Sequence, residues 1–145
     1  MKRRLLALGL SLFLGLLPLA AGAPHRLEAR GDHGWMKFWG QGKVHVEGKG
    51  TLLIKNASNL QVDIRGTWGE KFDLMDGAEY RHFEGSVDCT GPGAHLEMRG
   101  WNLRLTVVGR GKAHFRGEGV VRLDGGPERP WTSHPDKWTK VKFRE

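Results

Sequence analysis

The chain's 145 residues carry 23 Lys and Arg against 16 Asp and Glu, a formal net charge of +7, and a single cysteine, Cys89. A chain of this length suits one domain with one core, and a lone cysteine excludes the disulfide framework of small secreted scaffolds. Folding has to rest on packing, turns and strand pairing.

The first segment in chain order runs from Met1-Lys2-Arg3-Arg4 through an almost unbroken apolar stretch, Leu5 to Leu19, to the small residues Ala20, Ala21, Gly22 and Ala23. Charged, then apolar, then small is the order of a secretory signal peptide. The apolar stretch is shorter than the roughly 20 residues that a membrane-spanning helix needs, and Pro18 would break it. Residues 1–23 are therefore expected to be an export signal cut after Ala21 or Ala23, leaving no membrane span. Ala23 stands where a lipoprotein signal needs a cysteine, and the surroundings of Arg3-Arg4 lack the twin-arginine pattern. Removing Lys2, Arg3 and Arg4 leaves 20 basic residues against 16 acids, a mature charge of about +4. The expected location is the periplasm, the cell envelope or the extracellular space.

Residues 24–34 read as a polar lead-in and 35–145 as a single β domain. From Trp35 onward apolar and polar residues alternate in short runs, the period-2 pattern of strands with one buried face. Val44 and Val46 alternate with Lys43, His45 and Glu47; Leu60, Val62 and Ile64 with Gln61, Asp63 and Arg65; Leu103, Leu105 and Val107 with Arg104 and Thr106. Leu96/Met98, Ala113/Phe115, Val121/Leu123 and Thr139/Val141/Phe143 repeat the pattern, and the first-named residues are expected in the core.

Between these runs Gly-x-Gly recurs five times, at Gly40, Gly48, Gly91, Gly109 and Gly117, and Asp76-Gly77 is a further hairpin signal. Glycine enters positive φ without steric cost, so each Gly-x-Gly is expected to reverse a strand. None carries the spacing of a phosphate-binding loop. The segment Gly40 to Gly50 also returns 69 positions later as Gly109 to Gly119, with matching glycines and with Lys43 and His45 answered by Lys112 and His114. No regular period runs through the whole chain, so the expected architecture is antiparallel strands in a sandwich or barrel, with a short β-solenoid as the alternative.

Gly109 to Gly119, Gly125-Gly126 and Trp131 make the second half resemble small exported bacterial glycine-rich β-repeat proteins. The resemblance covers about a third of the chain and implies export and β structure. That group has no established activity, so no catalytic residue is carried across.

No catalytic constellation is legible. Gly-x-Ser-x-Gly is absent, and Cys89 beside Asp88 and near His82 reads as a half-buried strand thiol. The acids show no pairing that marks a general acid and base. Neither an enzymatic activity nor a cofactor is expected. Two candidate sites remain. Between residues 99 and 122 arginines and lysines outnumber acids, and parity places Arg99, Arg104, Lys112 and Arg116 toward solvent with Trp101 nearby. Four such cations on successive strands are expected to hold an anionic polysaccharide or other acidic polymer, with a tryptophan face for stacking. The alternative is a metal site, or a metalloenzyme, built from His45, His95 and His114, all of outward parity. The first reading makes the protein a non-enzymatic envelope or secreted protein with a structural or binding role.

Overall fold

A computed structural model describes residues 23–144 of the protein, so the expected export signal lies outside the described residues except for Ala23. Six strands occupy most of the described chain: β1 His25–Lys55, β2 Gln61–Thr67, β3 Glu70–Leu74, β4 Gly77–Leu123, β5 Arg129–Pro130 and β6 Thr139–Phe143. One 3-10 turn, Ala57–Asn59, joins β1 to β2. The named strands pair only in antiparallel fashion, as the alternation predicts. Among the described residues no helix is long and apolar enough to cross a membrane.

β1 has 31 residues and β4 has 47, against the 3–10 residues usual for a strand. Their register explains the length. Leu27 faces both Val107 and Leu123, Met36 both Met98 and Phe115, and Leu52 both Tyr80 and Met98. The two partners of one β1 residue lie 16 to 18 positions apart on β4. The two strands are therefore the arms of one ribbon wound into a flattened coil, and each turn hydrogen-bonds to the next. Each arm crosses alternately between two facing layers. β1 gives residues 25–30 to the first layer, 35–39 to the second, 43–47 to the first and 51–55 to the second.

The first layer is completed by β2 and by residues 86–90, 104–108 and 120–123 of β4. The second is completed by β3, β6 and residues 77–81, 95–99 and 112–116. Both ends of the coil keep an edge, so the sheet does not close into a barrel. The result is a sandwich whose strands pass from layer to layer, and it combines the sandwich with the solenoid alternative.

The crossings explain the glycines and correct the expected turns. The Gly-x-Gly pairs lie inside β1 and β4, where the chain bends without reversing. Gly117, Gly34, Gly100 and Gly50 are successive neighbours across one bend, and Gly109, Gly42 and Gly91 across the other. Backbones approach so closely there that a Cβ on Gly100 would lie 2.0 Å from the Lys49 carbonyl oxygen. The two copies of the repeat each run from one bend to the other and meet crosswise, Gly40 beside Gly111 and Gly42 beside Gly109. Asp76-Gly77 does mark a reversal, with Leu74 of β3 facing Gly77 of β4.

Inward side chains of both layers form one core cluster. Met36, Phe38, Leu96 and Met98 of the second layer and Val46 and Leu105 of the first line a single interior gap of about 10 Å³. Most expected core residues are buried, whereas Leu60, Ile64, Leu123 and Thr139 are half-buried and Val62 is exposed. Val62 and Ile64 lie on β2, an end strand with no further neighbour among the described residues to cover it. The polar lead-in is also corrected: β1 begins at His25, and Leu27 and Ala29 are buried between Arg26, Glu28 and Arg30. The charged residues of that stretch are the outward half of a strand.

Candidate functional site

The outer face of the second layer is a grid whose rows run across the strands. One row is Lys142, Lys112, Trp39, His95 and Lys55; the next is Lys140, His114, Lys37 and Glu97; the third is Arg116, Trp35 and Arg99. Neighbouring strands lie about 4.8 Å apart. Seven cations thus share the named positions with one carboxylate, Glu97; the second row runs on through Leu53 to Glu79, which pairs with Arg81 at 2.8 Å.

The tryptophans hold the cations in place. Arg99 lies 4.8 Å and Arg116 5.4 Å from the centre of the Trp35 ring, one on each flank, and Lys37 lies 4.6 Å from it. Lys112 lies 5.0 Å from Trp39. The segment before β6 adds Trp138, which meets Trp35 edge-on at 5.3 Å and has Lys37 at 4.7 Å and Arg116 at 4.2 Å. Arg116 also donates from Nη1 to the Pro135 carbonyl oxygen, which ties this segment to the grid. Each exposed cation–π contact is worth about 0.5–1 kcal/mol. Their larger effect is to hold charges still that would otherwise sample many rotamers.

Two titrating groups register the charge. His114, packed against Trp39 at 4.9 Å, has its pKa lowered by burial first and then by Lys140, Lys112, Lys37 and Lys142. Glu97 is held below the usual carboxylate range, chiefly by its contact with His95, with Lys37 and the Trp35 indole adding to it against a desolvation cost. Its oxygens lie 3.0 Å from His95 Nε2 and accept from Trp35 Nε1 at 3.3 Å. This acid is committed to internal contacts.

Three of the four expected cations, Arg99, Lys112 and Arg116, share this face. Arg104 does not: it lies on the outer face of the first layer, 3.8 Å from Glu47. The four are also not on adjacent strands, because residues 35–39 separate 95–99 from 112–116. Parity gives inside or outside, but not which of two outsides. Trp101 is 60% exposed at a bend, between His33 and Lys49, away from the grid rows. Trp35 and Trp39 were legible as outward residues flanking Lys37. Lys140 and Lys142 were missed; their alternation with Val141 was the available signal.

The expected metal site is not assembled. His95 and His114 flank Trp39 on the second layer, while His45 lies on the first, 2.7 Å from Asp88 and 3.3 Å from Glu47. Among the described residues no group of three or more His, Cys, Asp or Glu side chains is placed to hold a metal ion. Burial alone would lower the His45 pKa, but the two carboxylates together outweigh it and raise the value.

Cys89 is 1% exposed, deeper than the half-buried position expected, and burial followed by the charge of Asp88 pushes its thiol up to about 11. The thiolate is the reactive form. Cys89 is therefore expected to stay unmodified by a thiol reagent at pH 8 in the folded protein and to react fully in denaturant. Rapid labelling under native conditions would contradict its placement.

Comparison with family models, curated proteins and solved structures finds no match to the chain.

Proposed function

We propose that the protein is an exported, non-enzymatic binding module of the cell envelope or extracellular space that holds an anionic polysaccharide on the outer face of its second layer. The observation that carries this reading is the fixed alternation of cations with tryptophan rings: Arg116, Trp35 and Arg99 in one row, Lys112 and Trp39 in another. Charges held at strand spacing add their potentials, and indole surfaces beside them suit the apolar faces of sugar rings. The grid presents an extended surface, which fits a chain of repeating anionic units better than a small metabolite in a closed pocket.

The test is retention of the chain from residue 24 onward on immobilised polyuronate. Binding is expected at low salt and should weaken steeply as salt rises, because exposed charges are screened beyond about 8 Å at physiological ionic strength. Changing Arg99, Lys112 and Arg116 together to Ser is expected to abolish retention, while Arg104→Ser leaves it nearly intact. Bound polyuronate should also raise the His114 pKa in an NMR titration by offsetting its lysine neighbours. Equal loss from Arg104→Ser, or retention that survives the triple change, would remove this reading.

A further inference from the structure

β2 and β3 form one end of the coil, and each pairs with β4 on one side only. Their other edge is free among the described residues. Six large apolar side chains are exposed on the described surface, and five of them belong to this end: Val62, Trp68, Phe72, Leu74 and Met75. The opposite end is finished differently. There β5 and β6 cover the last pass of β4, β6 turns Lys140 and Lys142 outward, and no large apolar side chain among the described residues is exposed. A free edge rich in apolar side chains is a template for another strand.

We propose that this edge is the interface of a homodimer, with β2 and β3 of one copy paired antiparallel to β3 and β2 of a second copy about a two-fold axis. The proposal goes beyond the polysaccharide reading and does not depend on it. A two-fold interface must be complementary to itself, and three features of the edge meet that demand.

The first is the bend. The edge crosses from the first layer to the second at Gly66 to Gly69, so an antiparallel neighbour must bend at the same place. Inside the molecule glycine lies beside glycine there, Gly66 beside Gly85. A second copy meets this condition when its own bend lies alongside.

The second is parity. In β2 the inward positions are Val62 and Ile64, opposite buried Cys89 and Val87. In β3 they are Lys71 and Asp73, opposite buried Tyr80 and Ala78. Inward residues must face inward residues across a ladder, which leaves three registers close to the bend. The middle one, centred on the bend, sets Arg65 opposite Glu70 of the second copy; the two shifted by a pair of residues set Asp63 or Thr67 there.

The third is charge, which chooses between them. Asp63 against Glu70 would place like charges opposite each other twice across the two-fold, and such pairs are destabilising. Thr67 against Glu70 brings no charge pair, whereas Arg65 against Glu70 gives two opposite-charge pairs. In that register each continuous sheet joins the first layer of one copy to the second layer of the other. The two cationic faces then point to opposite sides of the dimer.

Sedimentation of the chain from residue 24 onward, which contains every described strand and the whole core, tests this without any polymer. A concentration-dependent dimer is expected. The Phe72→Asp/Leu74→Asp variant, which sets position 72 against Asp63 of the second copy in that register, should be monomeric with an unchanged circular dichroism spectrum, as both side chains are exposed. Arg65→Glu and Glu70→Arg should each weaken the dimer at least tenfold, and the doubly reversed chain should recover it. A monomer at every concentration, a dimer that survives the aspartate variant, or reversed charges that fail to recover association would each overturn the proposal.

Discussion

Replacing Gly100 by alanine is expected to lower the melting temperature by roughly 10 °C or more, while the same change at Gly93 raises it by a few degrees at most. Gly100 has φ of +153° and lies between Gly34 and Gly50 at a bend. A Cβ there would sit 2.0 Å from the Lys49 carbonyl oxygen and 2.9 Å from the Gly50 Cα. Both obstacles are backbone, held in place by the neighbouring turn of the coil, so no side chain can rotate away to admit the methyl group. Backbone strain of this kind costs about 1–3 kcal/mol, before the contact itself is relieved. Against a typical total stability of about 5–15 kcal/mol the loss is large. Gly93 has neither feature: no heavy atom lies within 4 Å of its Cβ position, and its φ is not positive. Alanine there restricts only the unfolded chain, an effect of about 0.4–1 kcal/mol in favour of folding. Thermal melts of the two variants followed by circular dichroism measure the contrast. A Gly100→Ala melt close to that of the unchanged protein would mean that the bend has room which its geometry denies.

That contrast also marks how far the fold was legible in the sequence. Alternation identified the strands and, for most of them, the buried side, because parity is a local property that each residue reports with its neighbours. Val44, Leu105 and Phe115 are buried as their runs predict. Gly-x-Gly was legible as a special backbone position but not as a bend within a strand. A hairpin and a layer crossing both call for glycine, and they differ in what lies across the ladder. Gly100 faces glycines at 34 and 50, positions more than 45 residues away in the chain. The wound ribbon follows from such distant pairings, so the 69-position repeat showed that two segments do the same work without showing that they meet.

The candidate site was partly legible for the same reason. Outward parity selected Arg99, Lys112 and Arg116, and all three lie around Trp35 and Trp39. It equally selected Arg104 and His45, which belong to the other outer face. A strand that crosses between layers every eight or so residues turns the same parity toward opposite sides of the molecule. Sorting the two faces needs the positions of the bends as well as the alternation. Once the bends are placed, the second layer collects lysine, arginine and tryptophan, and the first carries the internally paired charges of His45, Asp88, Glu47 and Arg104.

Trp131 provides the other large expected effect, and here packing and hydrogen bonding make opposing demands. The residue follows β5, is 5% exposed, and stacks on Phe115 at 5.1 Å with an interplanar angle of 19°. Its backbone N–H donates to the Gly119 carbonyl oxygen at 2.9 Å. The indole fills space that Gly31 leaves open, since a Cβ on Gly31 would come within 2.4 Å of the ring. Trp131→Ala is therefore expected to destabilise by about 3–5 kcal/mol. The cavity would be bounded partly by glycines, which have no side chain to move into it, so little of the loss is recovered by relaxation. The indole Nε1, however, is buried without a hydrogen-bond partner among the described residues, and an unsatisfied buried donor costs about 1–3 kcal/mol. Trp131→Phe removes that donor while keeping most of the stacked surface, so its loss should be no more than about a third of the alanine loss. Urea unfolding of the two variants, with unchanged dependence on denaturant, measures both values. Equal losses would mean that the indole N–H has a partner after all, and a small alanine loss would mean that the C-terminal segment does not close this side of the core.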